Sequence, residues 1–181
     1  MDFLQLVKSR TSCRSYQDKD VPDEVMENCL EAARQAPSAC NQQPWRFIVV
    51  KDRELRERIC GECFLPGLPM PWARQAPVII VLCSKKSLVT HFLAPLLSGI
   101  NYHLIDLGIA GEHLVLEAQA QGLGSCWIGW FNPKKVKKLL RLPSDFHPVS
   151  LLTMGYPQNV SEPRERLAMN EIARVDRWDS A

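Results

Sequence analysis

Apolar positions along the chain fall into two rhythms, separated by proline and glycine. Residues 22–36 carry Val25, Met26, Cys29, Leu30 and Ala33 three or four places apart, which is the spacing of one helix face. Pro22 suits a first turn, Asp23 and Glu24 complement the positive end of the helix dipole, and Pro37 ends the element. The uninterrupted runs RFIVV (46–50) and PVIIVLC (77–83) have instead the length and β-branched content of strands buried on both faces. SCWIGW (125–130) and PVSLLTMGY (148–156) predict two more strands, residues 2–9 a short helix from Asp2, and residues 52–60 a charged helix. Asn132 and Pro133 cap and open a further helix that ends before Pro143, with lysines outward and Val136, Leu139 and Leu140 inward.

Residues 99–121 predict a long helix whose apolar residues, among them Ile100, Leu104, Leu107, Ala110, Leu114 and Ala118, cover more than one face. Such a helix belongs in a core or a subunit interface. GLG at 122–124 stops it. The proline- and glycine-rich stretch GECFLPGLPMPW (61–72) predicts a functional loop or lid rather than a regular element, residues 86–98 fit no single pattern, and the tail from Pro157 is charged with little periodicity. No repeat or compositional shift divides the chain, so one domain over 1–181 is expected, and strands separated by helices point to an α/β or α+β sandwich.

With 181 residues, 46% of them hydrophobic, the chain can bury a sizeable core. A net charge of +2, from 22 basic and 20 acidic residues, makes no field that would recruit nucleic acid or an anionic membrane, so any anion must be bound locally. The longest apolar run is too short to span a bilayer and no stretch of signal-peptide length opens the sequence. Seven cysteines without a repeating spacing fit free thiols in a reducing compartment, and the expected location is the cytoplasm.

Several chemistries find no motif. GLGSCWIG follows a helix and leads into a strand, the reverse of a dinucleotide fingerprint, and there is no nucleophile elbow, no His-Glu-x-x-His and no zinc spacing. If a phosphate is bound, side chains must hold it. Two arginine groups are candidates, SRTSCR (9–14) and RER (164–166), because guanidinium groups grip phosphate through two-point charged hydrogen bonds. Each group taken alone also fits a solvated surface run. Cys60 and Cys63 have redox-pair spacing, but a helix precedes them and a loop follows, the wrong context for a thioredoxin-like site. His91, His103, His113 and His147 share no metal spacing, and His113 is expected to be a satisfied core or interface residue.

APSACNQQPW (36–45) packs uncharged hydrogen-bonding side chains into a short connection. Capping of the turn and satisfaction of local backbone groups accounts for Ser38 and Asn41, and leaves Gln43 without a role. SRTSCRSY, APSACNQQPW, DLGIAGEHLVLEAQAQGLGSCWIGWF, MGYP and RERL occur in the order and spacing of the FMN-dependent nitroreductase family, and the chain resembles its compact members over nearly its whole length. The resemblance implies an α+β fold, a nitroreductase-like α/β sandwich with a mainly antiparallel central sheet flanked by helices and an extended C-terminal tail. It implies a homodimer with FMN in the crevices between subunits.

Carried onto this sequence, the resemblance gives Arg10, Ser12, Arg164 and Arg166 to the phosphate, Thr11 to the cofactor site, and Arg14 to the pyrimidine edge of the flavin, where a cation stabilises the charge that reduction adds. Pro37, Ser38, Ala39, Asn41 and Gln43 would cross from the partner subunit to the ribityl chain and the polar ring edge. Trp127, Ile128 and Gly129 would run beside the ring nitrogen that accepts hydride. Gly129 would allow close backbone approach, and a tight β position or bulge is the competing explanation of that glycine. The chain departs from larger members in the segment FLPGLPMPWAR, where only Arg74 loosely replaces a lysine, and Phe64, Leu65, Met70 and Trp72 are candidates for a pocket wall.

The expected activity is reduction of a small acceptor such as a nitroaromatic, quinone or enone by NAD(P)H, in two exchanges at one flavin face, with no side chain required as a general acid. A different flavin half-reaction, as in a dehydrogenase, oxidase or dehalogenase, an FMN carrier without turnover, and a redox-silent scaffold remain as alternatives.

Overall fold

The computed structural model describes residues 2–85, 94–159 and 161–178. Helix α1 (Phe3–Ser9) opens the chain. Asp2 accepts the Gln5 N–H at 2.8 Å while the Gln5 side chain accepts the Asp2 N–H, a reciprocal cap that satisfies two otherwise orphaned donors. Helix α2 (Asp23–Arg34) turns Met26, Cys29 and Ala33 inward, and stops three residues short of Pro37. Strand β1 (Trp45–Val50) leads to α3 (Arg53–Arg58), whose N-cap Asp52 accepts the Leu55 N–H at 2.8 Å.

The stretch read as an irregular loop is partly regular. Ile59–Cys63 continue α3 as one wide π turn, and Pro71–Gln75 form a 3-10 turn, where Pro71 supplies a preset φ and lacks only a donor that the first turn would leave unpaired. Strand β2 (Val78–Lys85) follows. Of the unassigned stretch, residues 86–93 lie outside the described residues, and Ala94–Ser98 form the short helix α4. The long helix begins later than its hydrophobic pattern implied: Gly99, at φ +72°, separates α4 from α5 (Tyr102–Ala120). Strand β3 (Gly124–Ile128) stops before Gly129, two residues earlier than read. It is followed by α6 (Pro133–Leu139), whose N-cap Asn132 accepts from both Lys134 and Lys135, then β4 (Phe146–Gly155) and α7 (Met169–Ile172).

Among the described residues these strands make one sheet in the order β1-β2-β4-β3, antiparallel throughout. Alternation along β2 divides the core. Val78, Ile80 and Leu82 face α2 and α5 with Leu152 and Met154, while Ile79, Val81 and Cys83 face the π turn and α6 with Leu151, Ile128 and Val136. A strand covered on both sides needs no polar alternation, which is why β2 reads as a continuous apolar run. Helices on both faces of an antiparallel sheet make this an α+β sandwich. No helix among the described residues is long and apolar enough to cross a membrane.

Candidate functional site

Residues 10–16 run extended beside the outer strand of the sheet. Ser12 pairs with Ser125 of β3 in parallel, and the Cys13 N–H donates to Ser125 O at 2.8 Å. Because alternate residues of an extended segment point to opposite sides, Cys13 is buried while Ser12 and Arg14 are exposed. Arg10 is half-buried, with Nε 4.0 Å from Glu112 of α5, and the Arg14 guanidinium lies over the Trp72 ring at 5.7 Å. The segment approaches β3 closely because Gly124 has no Cβ: one built there would fall 2.6 Å from the Cys13 Cβ.

Tyr16 locks the far end. Its hydroxyl donates to Cys13 O at 2.9 Å and is 2.8 Å from Thr153 Oγ1, and burial pushes the phenol well above its usual pKa. Nothing in the local pattern marks Tyr16. Its role follows from β4, more than a hundred residues away.

A small cavity of about 100 Å³ is lined by Ser9, Thr11 and Gln119 together with Asn159 and Ser161 at the root of the tail. Arg164 therefore follows within about 11 Å of extended chain from Ser161, which lines the same cavity as Thr11. Arg164 and Arg166 are exposed, Arg166 Nη1 donates to Arg164 O at 2.9 Å, and among the described residues no hydrogen bond or ion pair joins either of them to Arg10 or Ser12.

The Pro37–Gln43 segment is a separate construction. Cys40, Asn41 and Gln43 have φ of +52°, +50° and +47°, left-handed values that cost a residue with a Cβ about 1–2 kcal/mol each. The Gln43 N–H donates to Ser38 Oγ at 2.9 Å, and Gln43 Nε2 donates to Asn41 Oδ1 at 3.0 Å. Local hydrogen bonding thus reaches Gln43 as well as Ser38 and Asn41, contrary to the expectation that it would leave Gln43 aside. The signal missed in the sequence is Asp106: 3% exposed on α5, it accepts the Ala39 N–H at 3.1 Å through Oδ1, while Oδ2 is buried with no hydrogen-bond partner among the described residues.

Asp106 and Glu112 are six residues apart on α5, so they project about 120° apart around the helix and about 9 Å along it. The two polar segments therefore meet different sides of α5.

Trp127 is 37% exposed and lies against α5 where Gly111 makes room, since a Cβ there would meet its ring at 2.2 Å. Ile128 is buried. A Cβ on Gly129 would meet nothing within 4 Å, and the residue lies beyond the strand, so neither close packing nor a β position accounts for it. The neighbouring segment is tied to the proline-rich region by the Phe64–Phe131 bridge and by Leu65 N–H to Trp130 O at 3.3 Å. There, a cavity of about 440 Å³ is lined by Phe64, Leu65, Met70 and Arg74, but Trp72 packs under Arg14 instead. Arg74 is paired with Glu57.

Cys60 and Cys63 are buried free thiols, and desolvation pushes Cys60 up to about 11, which removes thiolate at neutral pH. Among the described residues no group of His, Cys, Asp or Glu is placed to hold a metal ion. His113 Nδ1 is 3.3 Å from Ala32 O, a contact between α5 and α2 as expected.

The family model described as Nitroreductase family matches residues 7–65 and 65–156. A protein of Archaeoglobus fulgidus whose name joins NADH dehydrogenase with NAD(P)H nitroreductase is 36% identical over 98% of this chain and 99% of its own. An FMN reductase [NAD(P)H] of Bacillus subtilis is 32% identical over 93% of this chain and 72% of its own. The solved structure of an FMN-dependent nitroreductase from Clostridium difficile R20291 superposes with a TM-score of 0.82 at 25% identity, covering 97% of this chain and all of that one. With both halves of the sequence matched and the same fold throughout, this chain belongs to the nitroreductase family.

Proposed function

We propose that the protein is an FMN-dependent NAD(P)H oxidoreductase that works as a homodimer and reduces small organic acceptors such as nitroaromatics, quinones or enones. The observation that carries this reading is the extended segment at the sheet edge, where Ser12 and Arg14 face outward beside a half-buried Arg10. An anion lying along it meets two guanidinium groups and a hydroxyl. The root of the tail supports placing Arg164 and Arg166 at the same phosphate. The open space at Gly129 suits a flat ring lying against bare backbone.

The residues present fit FMN: cations for its phosphate, Arg14 for the ring edge, and amides in the Ser38–Gln43 turn for its ribityl and pyrimidine groups. When bound, FMN supplies the hydride chemistry. Arg14, oriented by Trp72, stabilises negative charge at the ring edge, and the wall formed by Phe64, Leu65 and Met70 excludes water from the acceptor.

A second copy is supported by what the protomer leaves uncovered. Phe3 and Leu4 of α1, Leu96 and Leu97 of α4, Leu104 and Ile105 of α5, and Met169, Ile172 and Trp178 of the tail are all exposed, and large exposed side chains of this kind suit an interface. The divergence of Asp106 and Glu112 around α5 agrees, since the Ser38–Gln43 turn of one copy then serves the Arg10–Arg14 segment of the other. All seven cysteines are free thiols, which supports a cytoplasmic location.

The test is spectroscopic. The purified protein should be yellow, lose its colour when NADH or NADPH is added without oxygen, and regain it on addition of a nitroaromatic or quinone. A protein that stays colourless after soaking in FMN, or one that is yellow yet inert to both nicotinamides, would overturn the assignment.

A further inference from the structure

We infer that Asp106 is a positioning residue for the flavin-binding turn: from within the protomer its carboxylate fixes the start of the Ser38–Gln43 segment in the shape that meets the cofactor. The inference rests on the reading of that segment given above. Asp106 is 3% exposed, and its Oδ1 accepts the Ala39 N–H at 3.1 Å across 67 positions of sequence. Its Oδ2 is buried without a hydrogen-bond partner among the described residues. A buried carboxylate with one oxygen unpaired is a poor choice for stability, because an apolar side chain of similar size would carry no desolvation cost. What it offers is a strong acceptor held at a fixed place by a packed helix.

The segment has need of such an anchor. Cys40, Asn41 and Gln43 all sit in the left-handed region, which side chains with a Cβ disfavour, and free chain would leave it. The bonds among Ser38, Asn41 and Gln43 lie within the turn, so they cannot orient it against the rest of the molecule. Arg46 Nη1 holds its end by donating to Gln43 O at 3.1 Å, and Asp106 holds its beginning. Clamped at both ends, the turn presents its amides without first losing conformational freedom, and that loss would otherwise be subtracted from cofactor affinity.

Two measurements on Asp106→Ala and Asp106→Asn test this. In flavin-free protein, amide hydrogen exchange across residues 39–43 should accelerate by at least about tenfold in Asp106→Ala, and the FMN dissociation constant should rise by at least about tenfold, while far-UV circular dichroism stays unchanged. Asp106→Asn keeps an acceptor oxygen, so both quantities should return to within about threefold of the parent. An Asp106→Ala protein that matches the parent in exchange or in FMN affinity, or an Asn variant as impaired as the Ala variant, overturns the inference. Asn41→Ala, measured alongside, separates the causes. If it weakens FMN while Asp106→Ala does not, only the positioning role fails, and if Asn41→Ala has no effect, the reading of the turn fails and takes the positioning role with it.

Discussion

Residues 10–16 and residues 161–178 both carry arginines assigned to one phosphate, and their mechanical settings are opposite. The first segment is pinned to β3 by the Ser12–Ser125 pairing and to β4 by Tyr16, with Cys13 and Tyr16 buried. The second extends over the surface with Leu167, Met169, Ile172, Val175 and Trp178 exposed, and its hydrogen bonds are local, as from Ala168 N–H to Glu171. One is preformed by the protomer. The other carries apolar side chains that the described residues leave exposed, which suits the proposed second copy. On the proposed reading the two ends have different work: the N-terminal extended segment would shape the anion site, and the tail would couple that site to dimer formation.

Deletion of residues 163–181 should have the largest effect. Loss of both tail arginines and the apolar strap should raise the FMN dissociation constant by roughly 100-fold or more and shift the particle to monomer mass in light scattering, with the sheet intact by circular dichroism. A truncated protein that stays dimeric and yellow would show the tail to be decoration. Next in size, Arg10→Ala and Arg166→Ala should each weaken FMN binding by about 1.5–3 kcal/mol, and the double variant should fall short of the sum because both side chains meet one phosphate. Strict additivity in that cycle would place them at different sites.

Tyr16→Phe tests whether residues 10–16 are integral to the fold. It takes the donor from Cys13 O and leaves the Thr153 hydroxyl with Cys126 O at 3.4 Å, so urea unfolding should show a loss of about 1–2 kcal/mol. Unchanged stability would mean that the segment is not integral to the body. Thiol labelling should discriminate regions as well. Burial pushes Cys29 and Cys83 up to about 12, whereas Cys40 lies exposed in the left-handed turn, so native flavin-free protein should show one fast-alkylating cysteine that FMN slows.

The smallest effect concerns pH. Hydrogen bonds from Arg34 and then Gln35 hold Glu31 down to about 2, against an ordinary value of 4.5. Its contribution to stability is therefore present above pH 4.5 and fades as pH falls from there toward 2, and Glu31→Gln should flatten the acid limb of a stability profile only slightly, since the pair is exposed.

The local pattern determined a good deal by itself. The apolar runs at β1 and β2, the Asp2 and Asn132 caps and the amphipathic α2 depend on neighbours within one or two turns, and a sequence displays neighbours directly. Resemblance gives the arginines their proposed roles, though not what holds them. Where pattern misled, the cause was a non-local contact or a backbone conformation with no compositional mark: the π turn inside a proline-rich stretch, Gly99 interrupting an otherwise continuous apolar helix, and Gln43 bonded within its own turn. Asp106, Tyr16 and Glu112 looked like ordinary polar residues because their partners are 67, 137 and 102 positions away. Only folding brings such pairs together, since a hydrogen bond is a statement about distance in space, and the order of residues along a chain constrains that distance only when few residues intervene.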